Sequence, residues 1–285
     1  MRTVITWLLC SLVTAMPAAA AELHAPKDIA AGTDFSITLD GSSQGTFYLI
    51  GPATAKKHAV ENASEISVPG TDIEKAGNYQ AILCSSECVS TDFYVHAAEP
   101  DRLSLLVHPS RVPVATTNAI SAVAIALDRF HNMVFSRADV NFSVNSNNGS
   151  SASHAQPTNR GIAWIRLTSA AKASSTKISA SVGETTETRV VEQVASEACH
   201  LHIKSSWQAN RLVVETDPVR DCSGNNVPDG TVVSFTKTDA SGKTTVDAPI
   251  KKGIAKAEMP VVGHARISVA SGVVLGNELN VGGAR

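Results

Sequence analysis

One phrase occurs twice in this chain. Asp128-x-x-x-Asn132-x-Val134 followed by Val140-x-Phe142 returns, without a gap, as Asp221-x-x-x-Asn225-x-Val227 followed by Val233-x-Phe235. Downstream, Gly161-Ile162-Ala163 is echoed by Gly253-Ile254-Ala255, and Ile178-Ser179 by Ile267-Ser268. The offset stays at about ninety residues throughout, which marks a duplicated unit. Each copy must therefore close a core of its own from short segments with apolar residues at alternate positions. A two-layer β-sandwich is the arrangement of that size. Helical spacing is scarce, since apolar residues rarely recur three and four apart and Val, Thr, Ser and Ile dominate.

The first residues read as a targeting segment. Arg2 supplies a positive n-region, residues 4–15 an apolar stretch, and Ala18-Ala19-Ala20-Ala21 a small-residue cleavage site before Glu22. The apolar stretch is shorter than the roughly 20 residues that a membrane-spanning helix needs. Cys10 suggests a lipid-modified leader, but Leu9 stands where such a leader wants Gly, Ala or Ser. The expectation is a signal peptide over residues 1–21, removed on export, with no membrane insertion afterwards.

Residues 22–285 are too many for one sandwich and suit two or three. A formal net charge of −2, with no Lys/Arg run, excludes a strong electrostatic case for nucleic acid or an anionic membrane. Beyond the leader lie Cys84, Cys88, Cys199 and Cys222, an even number that in an exported chain reads as two disulfides. Of the three pairings, Cys84 with Cys88 and Cys199 with Cys222 alone avoids linking separate modules.

The expected organisation is all-β: three tandem immunoglobulin-like sandwiches over residues 22–98, 101–195 and 199–285, joined at Glu99-Pro100 and near Ser196. In the first, Phe35-x-Ile37-x-Leu39 alternates as a strand, with a turn expected at Gly41-Ser42-Ser43. Strands at 46–50 and 66–68 follow, ending at Gly51-Pro52 and Pro69-Gly70. Gly77-Asn78-Tyr79-Gln80-Ala81 has the form of a tyrosine corner, in which the phenol bonds back to main chain a few residues upstream. The second module has expected strands at 103–105, 122–127, 140–144, 162–167 and 178–182. Between them, the Ser/Asn/Gly-rich tract 145–156 reads as an exposed loop. The third has strands at 201–203, 212–215, 231–236, 254–258 and 267–270.

The last two modules resemble the group-1 bacterial Ig-like domains of invasin- and intimin-type proteins. The residues that carry the resemblance are Asp221-Cys222-Ser223-Gly224-Asn225-Asn226-Val227-Pro228-Asp229-Gly230-Thr231-Val232-Val233-Ser234-Phe235, an Asp-x-x-Gly-Asn turn, a Val-Pro-x-Gly turn and an alternating strand. The second module keeps the first turn and has lost the Pro and Gly of the second, with Phe135 and Arg137 in their places. Its segment 161–169 is similar to the family again. The resemblance implies fold and a bacterial source, and leaves function open.

Candidate chemistry is sparse. Cys84-Ser85-Ser86-Glu87-Cys88 lacks the two-residue spacing and helix terminus of a redox pair, and His96 alone does not complete a zinc site. Cys199-His200-Leu201-His202 places both imidazoles on one face of an expected strand, with Cys199, Leu201 and Ile203 on the other. Asp217, Asp221, Asn225 and Asp229 form an oxygen-rich stretch that could be weighed as a calcium site. Their spacing of four does not follow the alternate ligand positions of a calcium loop, and two reverse turns account for them. No nucleophile elbow, phosphate loop or dinucleotide fingerprint occurs, so neither catalytic residues nor cofactors are expected. The reading is a non-catalytic exported adhesion or scaffold module that works through protein–protein contacts, in the periplasm or at the cell surface. Its rivals are an accessory or chaperone-like subunit acting by strand addition, and an enzyme.

Overall fold

A computed structural model describes residues 22–147, 149–209 and 211–282. The expected leader, residues 1–21, lies outside them, as does Asn148 within the tract 145–156. Strands fill the described chain, interrupted by one 3-10 turn, Gly70–Asp72. The chain divides into two compact units, with the boundary between residues 98 and 99.

The first unit is built on one long hairpin, Phe35–Gly51 against Thr54–Val68. No turn forms at residues 41–43. The strand runs on with register irregularities at Ser43 and Gly45, because the opposite strand continues to supply main-chain partners through Ala63 and Val60. The exposed side chains of Asp40, Ser42 and Gln44 have no core to fill there, so a bulge is tolerated. Past it, residues 46–50 pair with Gly77–Cys84, which turns back as Cys88–His96. The phenol of Tyr79, 2 % exposed, donates to the Lys75 carbonyl at 2.8 Å, so the expected corner forms. Its ring stacks on Phe93 at 5.6 Å, and Gly51 leaves it room: a Cβ there would lie 2.1 Å from the ring.

The second unit holds two cores. One gathers Leu105, Ile120, Phe142, Ile165, Ile178 and Val191, the other Ile203, Leu212, Val233, Phe235, Ile250 and Ile267. Strict alternation places them: Ile120, Ala122, Ala124 and Ala126 are buried while their neighbours are only partly so. Burying Phe142 or Phe235 is worth about 1.5–3 kcal/mol each. The first core lies between a sheet ordered Ser151–Pro157, Asp139–Ser146, Ser174–Val182, Thr185–Val194, Arg111–Pro113 and a sheet ordered Ile162–Leu167, Ile120–Leu127, Arg102–His108. The second repeats the plan. Gly242–Pro249, Val232–Asp239, Ala265–Ser271 and Val274–Leu275 face Ile203–Gln208, Arg211–Thr216 and Lys256–Met259. The duplicated phrase therefore corresponds to a duplicated topology.

Two expectations within this unit fail. The described residues of the tract 145–156 are paired, with Asn145 opposite Ser151 and Gln156 opposite Val140. Its outer strand has every residue exposed, so no alternation marks it in the sequence; main-chain pairing alone makes it a strand. Residues 201–203 form no single strand either. His200 adopts a left-handed conformation, φ 56°, which separates Ala198–Cys199 from Ile203–Gln208. Leu201 is buried and both imidazoles are exposed, so the expected faces are kept by a kinked segment.

Candidate functional site

Both copies of the repeated turn bury their polar residues, Asp128 and Asn132 in one and Asp221 and Asn225 in the other. Asp221, 4 % exposed, accepts at Oδ1 from the main-chain N–H of Ser223 (2.9 Å) and Asn225 (2.8 Å), and at Oδ2 from the N–H of Ser196 (3.0 Å). Burial pushes its carboxyl up, but these donors together with the Asn225 amide outweigh burial and hold it below the usual carboxylate range. Asn225 then reaches out of its own module. Its Nδ2 donates to the Ala171 carbonyl at 2.8 Å, and its Oδ1 accepts from the Ala173 N–H at 3.0 Å. Lys172 Nζ completes the joint on the Ser223 carbonyl at 3.1 Å. Modules two and three are thus tied by side-chain to main-chain bonds on both sides of the linker.

The earlier copy of the turn has the same internal form. Asp128 Oδ1 accepts from Phe130 N–H (2.9 Å) and Asn132 N–H (2.8 Å), and its Oδ2 from Asn132 Nδ2 (2.8 Å). The left-handed position filled by Gly224 (φ 79°) is filled there by His131 (φ 65°). That substitution is among those the left-handed region tolerates.

The four oxygen-bearing residues weighed for calcium have protein partners of their own. Asp217 pairs with His202 Nδ1 at 3.0 Å and lies 3.8 Å from Lys204 Nζ. Asp229 accepts from the N–H groups of Lys252 (2.9 Å) and Gly253 (3.2 Å), which hold its carboxyl below the usual range. Asp221 and Asn225 serve the joint. Among the described residues, one grouping of metal-ligating side chains does occur, the exposed trio Glu22, His24 and Asp40 in the first unit. Sequence reading missed it because Asp40 comes from a different strand.

Cys84 and Cys88 are bonded across the tip of their hairpin, with Cα atoms 4.0 Å apart. Cys199 and Cys222 are bonded with Cα atoms 5.0 Å apart, directly beside Asp221, so the second disulfide anchors the segment that carries the joint. A cleft of about 560 Å³ opens next to it between the two modules, lined among others by Val112, Val194, Ala198, Val227, Pro228 and Val232. Among the described residues, Phe135, Trp164, Val273 and Leu275 are the most exposed large apolar side chains, each at 60 % or more.

No family model matches the chain, and no curated protein matches it. Solved structures do. An Escherichia coli adhesin, FdeC, aligns over 93 % of this chain and 96 % of its own at 14 % identity, with a TM-score of 0.66. Invasin, a bacterial integrin-binding protein, aligns over 92 % of this chain at 11 % identity with a TM-score of 0.51; the chain spans 59 % of its length. The fold is that of invasin-type Ig-like modules. The resemblance carried by residues 221–235 therefore holds at the level of fold, and in the last module the signature turn fastens that module to the one before it.

Proposed function

We propose that this chain is an exported, non-catalytic protein whose Ig-like modules present contact surfaces to another protein, as an adhesion or scaffold module of the bacterial envelope. The observation that carries the reading is the joint. The buried Asp221 and Asn225, the residues that most resemble a ligand site in the sequence, bond to the main chain of the linker and the preceding module. An arrangement of that kind favours rigid presentation of loops over chemistry. Exposed Phe135 and Trp164 supply apolar contact area of the sort that protein interfaces use. The fold likeness to an adhesin and an integrin-binding protein points the same way. Two disulfides suit an oxidising compartment, at the cell surface or in the periplasm. No helix among the described residues is long and apolar enough to cross a membrane.

The test is to label intact cells with a membrane-impermeant reagent and to assay binding of the purified chain to host-cell surfaces. Labelling together with saturable binding supports adhesion. A chain shielded in intact cells that co-purifies stoichiometrically with envelope proteins of the same cell overturns adhesion in favour of the assembly role.

A further inference from the structure

The strand Ser151–Pro157 is an open sheet edge, and its counterpart in the next module is not built in the same way. Ser146 N–H donates to the Ser150 carbonyl at 2.9 Å, which sets the parity of the hairpin. Ala152, His154 and Gln156 turn their main-chain groups toward Asp139–Ser146, whereas Ser151, Ser153 and Ala155 turn theirs away. Among the described residues, no other strand pairs with this outer side. Residues 151–156 carry no Lys, Arg, Asp or Glu, contain no proline, and show no bulge in their register. They therefore lack the devices by which edges are ordinarily kept from pairing.

The duplicate supplies the control. Gly242–Pro249 is the same edge of module three, and both strands end on a proline, Pro157 opposite Asp139 and Pro249 opposite Val232. Aligned on that proline, Lys243 and Asp247 stand where Ser151 and Ala155 stand in module two. Both charges sit at positions whose main chain faces outward, so a strand laid against that edge must desolvate them.

We propose that the edge Ser151–Pro157 pairs antiparallel with the same edge of a second copy of this chain, about a two-fold axis near Ser153. An isologous contact sets each residue against its mirror position, and this edge suits that. Ser153 meets Ser153, and Ser151 meets Ala155, with small side chains and no like charges opposed. Pro157, having no N–H, ends the pairing. Beside the edge runs a groove of about 390 Å³ lined by His154, Gln156, Ile162, Trp164 and Arg166. Trp164 is 60 % exposed and Ile162 38 %, and they add apolar area to what six paired residues bury.

The experiment is sedimentation velocity on the full exported chain across a concentration series, with Ser153→Lys, Ala155→Pro, Trp164→Ala and the module-three control Thr245→Lys. The expected result is a reversible monomer–dimer equilibrium. Ser153→Lys and Ala155→Pro raise its dissociation constant at least about tenfold with unchanged melting temperatures, Trp164→Ala weakens it, and Thr245→Lys leaves it alone. A chain that stays monomeric at every concentration overturns the proposal, including one that captures some other strand at this edge. So does a dimer that both edge variants leave intact. Either failure leaves the adhesion reading untouched, since that is read from surface labelling and host-cell binding.

Discussion

Asn225 Nδ2 lies 3.0 Å from Asp221 Oδ2, and the same amide reaches the Ala171 carbonyl at 2.8 Å. One side chain therefore both closes a turn in module three and holds module two.

Changing Asn225 to Ala should strip Ala173 N–H and the Ala171 carbonyl of their partner and cost about 2 kcal/mol, the range for unsatisfied part-buried polar groups. Asn225→Asp should be worse, because a second carboxylate would face Asp221. Chemical unfolding of a fragment comprising residues 99–285 measures both. The wild type is expected to unfold in one transition and Asn225→Asp in two, with module three separating from module two.

Calcium should leave the melting temperature of the chain unchanged. The oxygens of Asp221 already accept main-chain N–H bonds, as do those of Asp229. Asp229→Ala should then lower the melting temperature slightly and equally with and without calcium. A rise of several degrees in millimolar calcium, lost in Asp221→Ala, would reassign the turn as a metal site.

Acid should act through Asp239. Lys237 Nζ sits 2.8 Å from its carboxylate, with both side chains all but inaccessible, and Ser241 and the Val262 N–H donate to it as well. The lysine first, then these donors, hold the Asp239 carboxyl well below the usual carboxylate range. In the unfolded chain it returns to about 4. Because the folded form takes up the proton less readily, the stabilisation is present above about pH 4 and is lost as pH falls toward the folded value. Melting temperatures measured from pH 6 down to pH 2 should drop below about pH 4, and Asp239→Asn should flatten that drop.

Removing the second disulfide should matter more than removing the first. Cys199 and Cys222 are 23 residues apart, a closure worth about 3 kcal/mol, whereas Cys84 and Cys88 close only a hairpin tip. Paired Cys→Ala variants compared by denaturant midpoint check the order. Equal effects from the two pairs would count against it.

The sequence made the sandwich legible because alternation survives wherever one face of a strand is buried, as in Ile120–Leu127 or Val232–Asp239. The same rule explains where it misled. Ser151–Pro157 has no buried face, so nothing in its side chains distinguished strand from loop. Residues 41–43 looked like a turn because Gly and Ser serve turns and bulges alike. At the joint, Asp221 and Asn225 were visible as turn formers, which they are. Their partners were not visible, because Ala171, Ala173 and Ser196 take part only through main-chain groups that any residue but proline provides in full.

That last property has an evolutionary side. A contact that grips the main chain is blind to which side chains the gripped segment carries. Ala171 and Ala173 are therefore free to drift without loosening the junction, whereas one inserted or deleted residue among 171–173 would slide both amides out of reach. Length in that segment should be under tight selection, and so should the Lys172 side chain that reaches Ser223, while the spelling at 171 and 173 wanders.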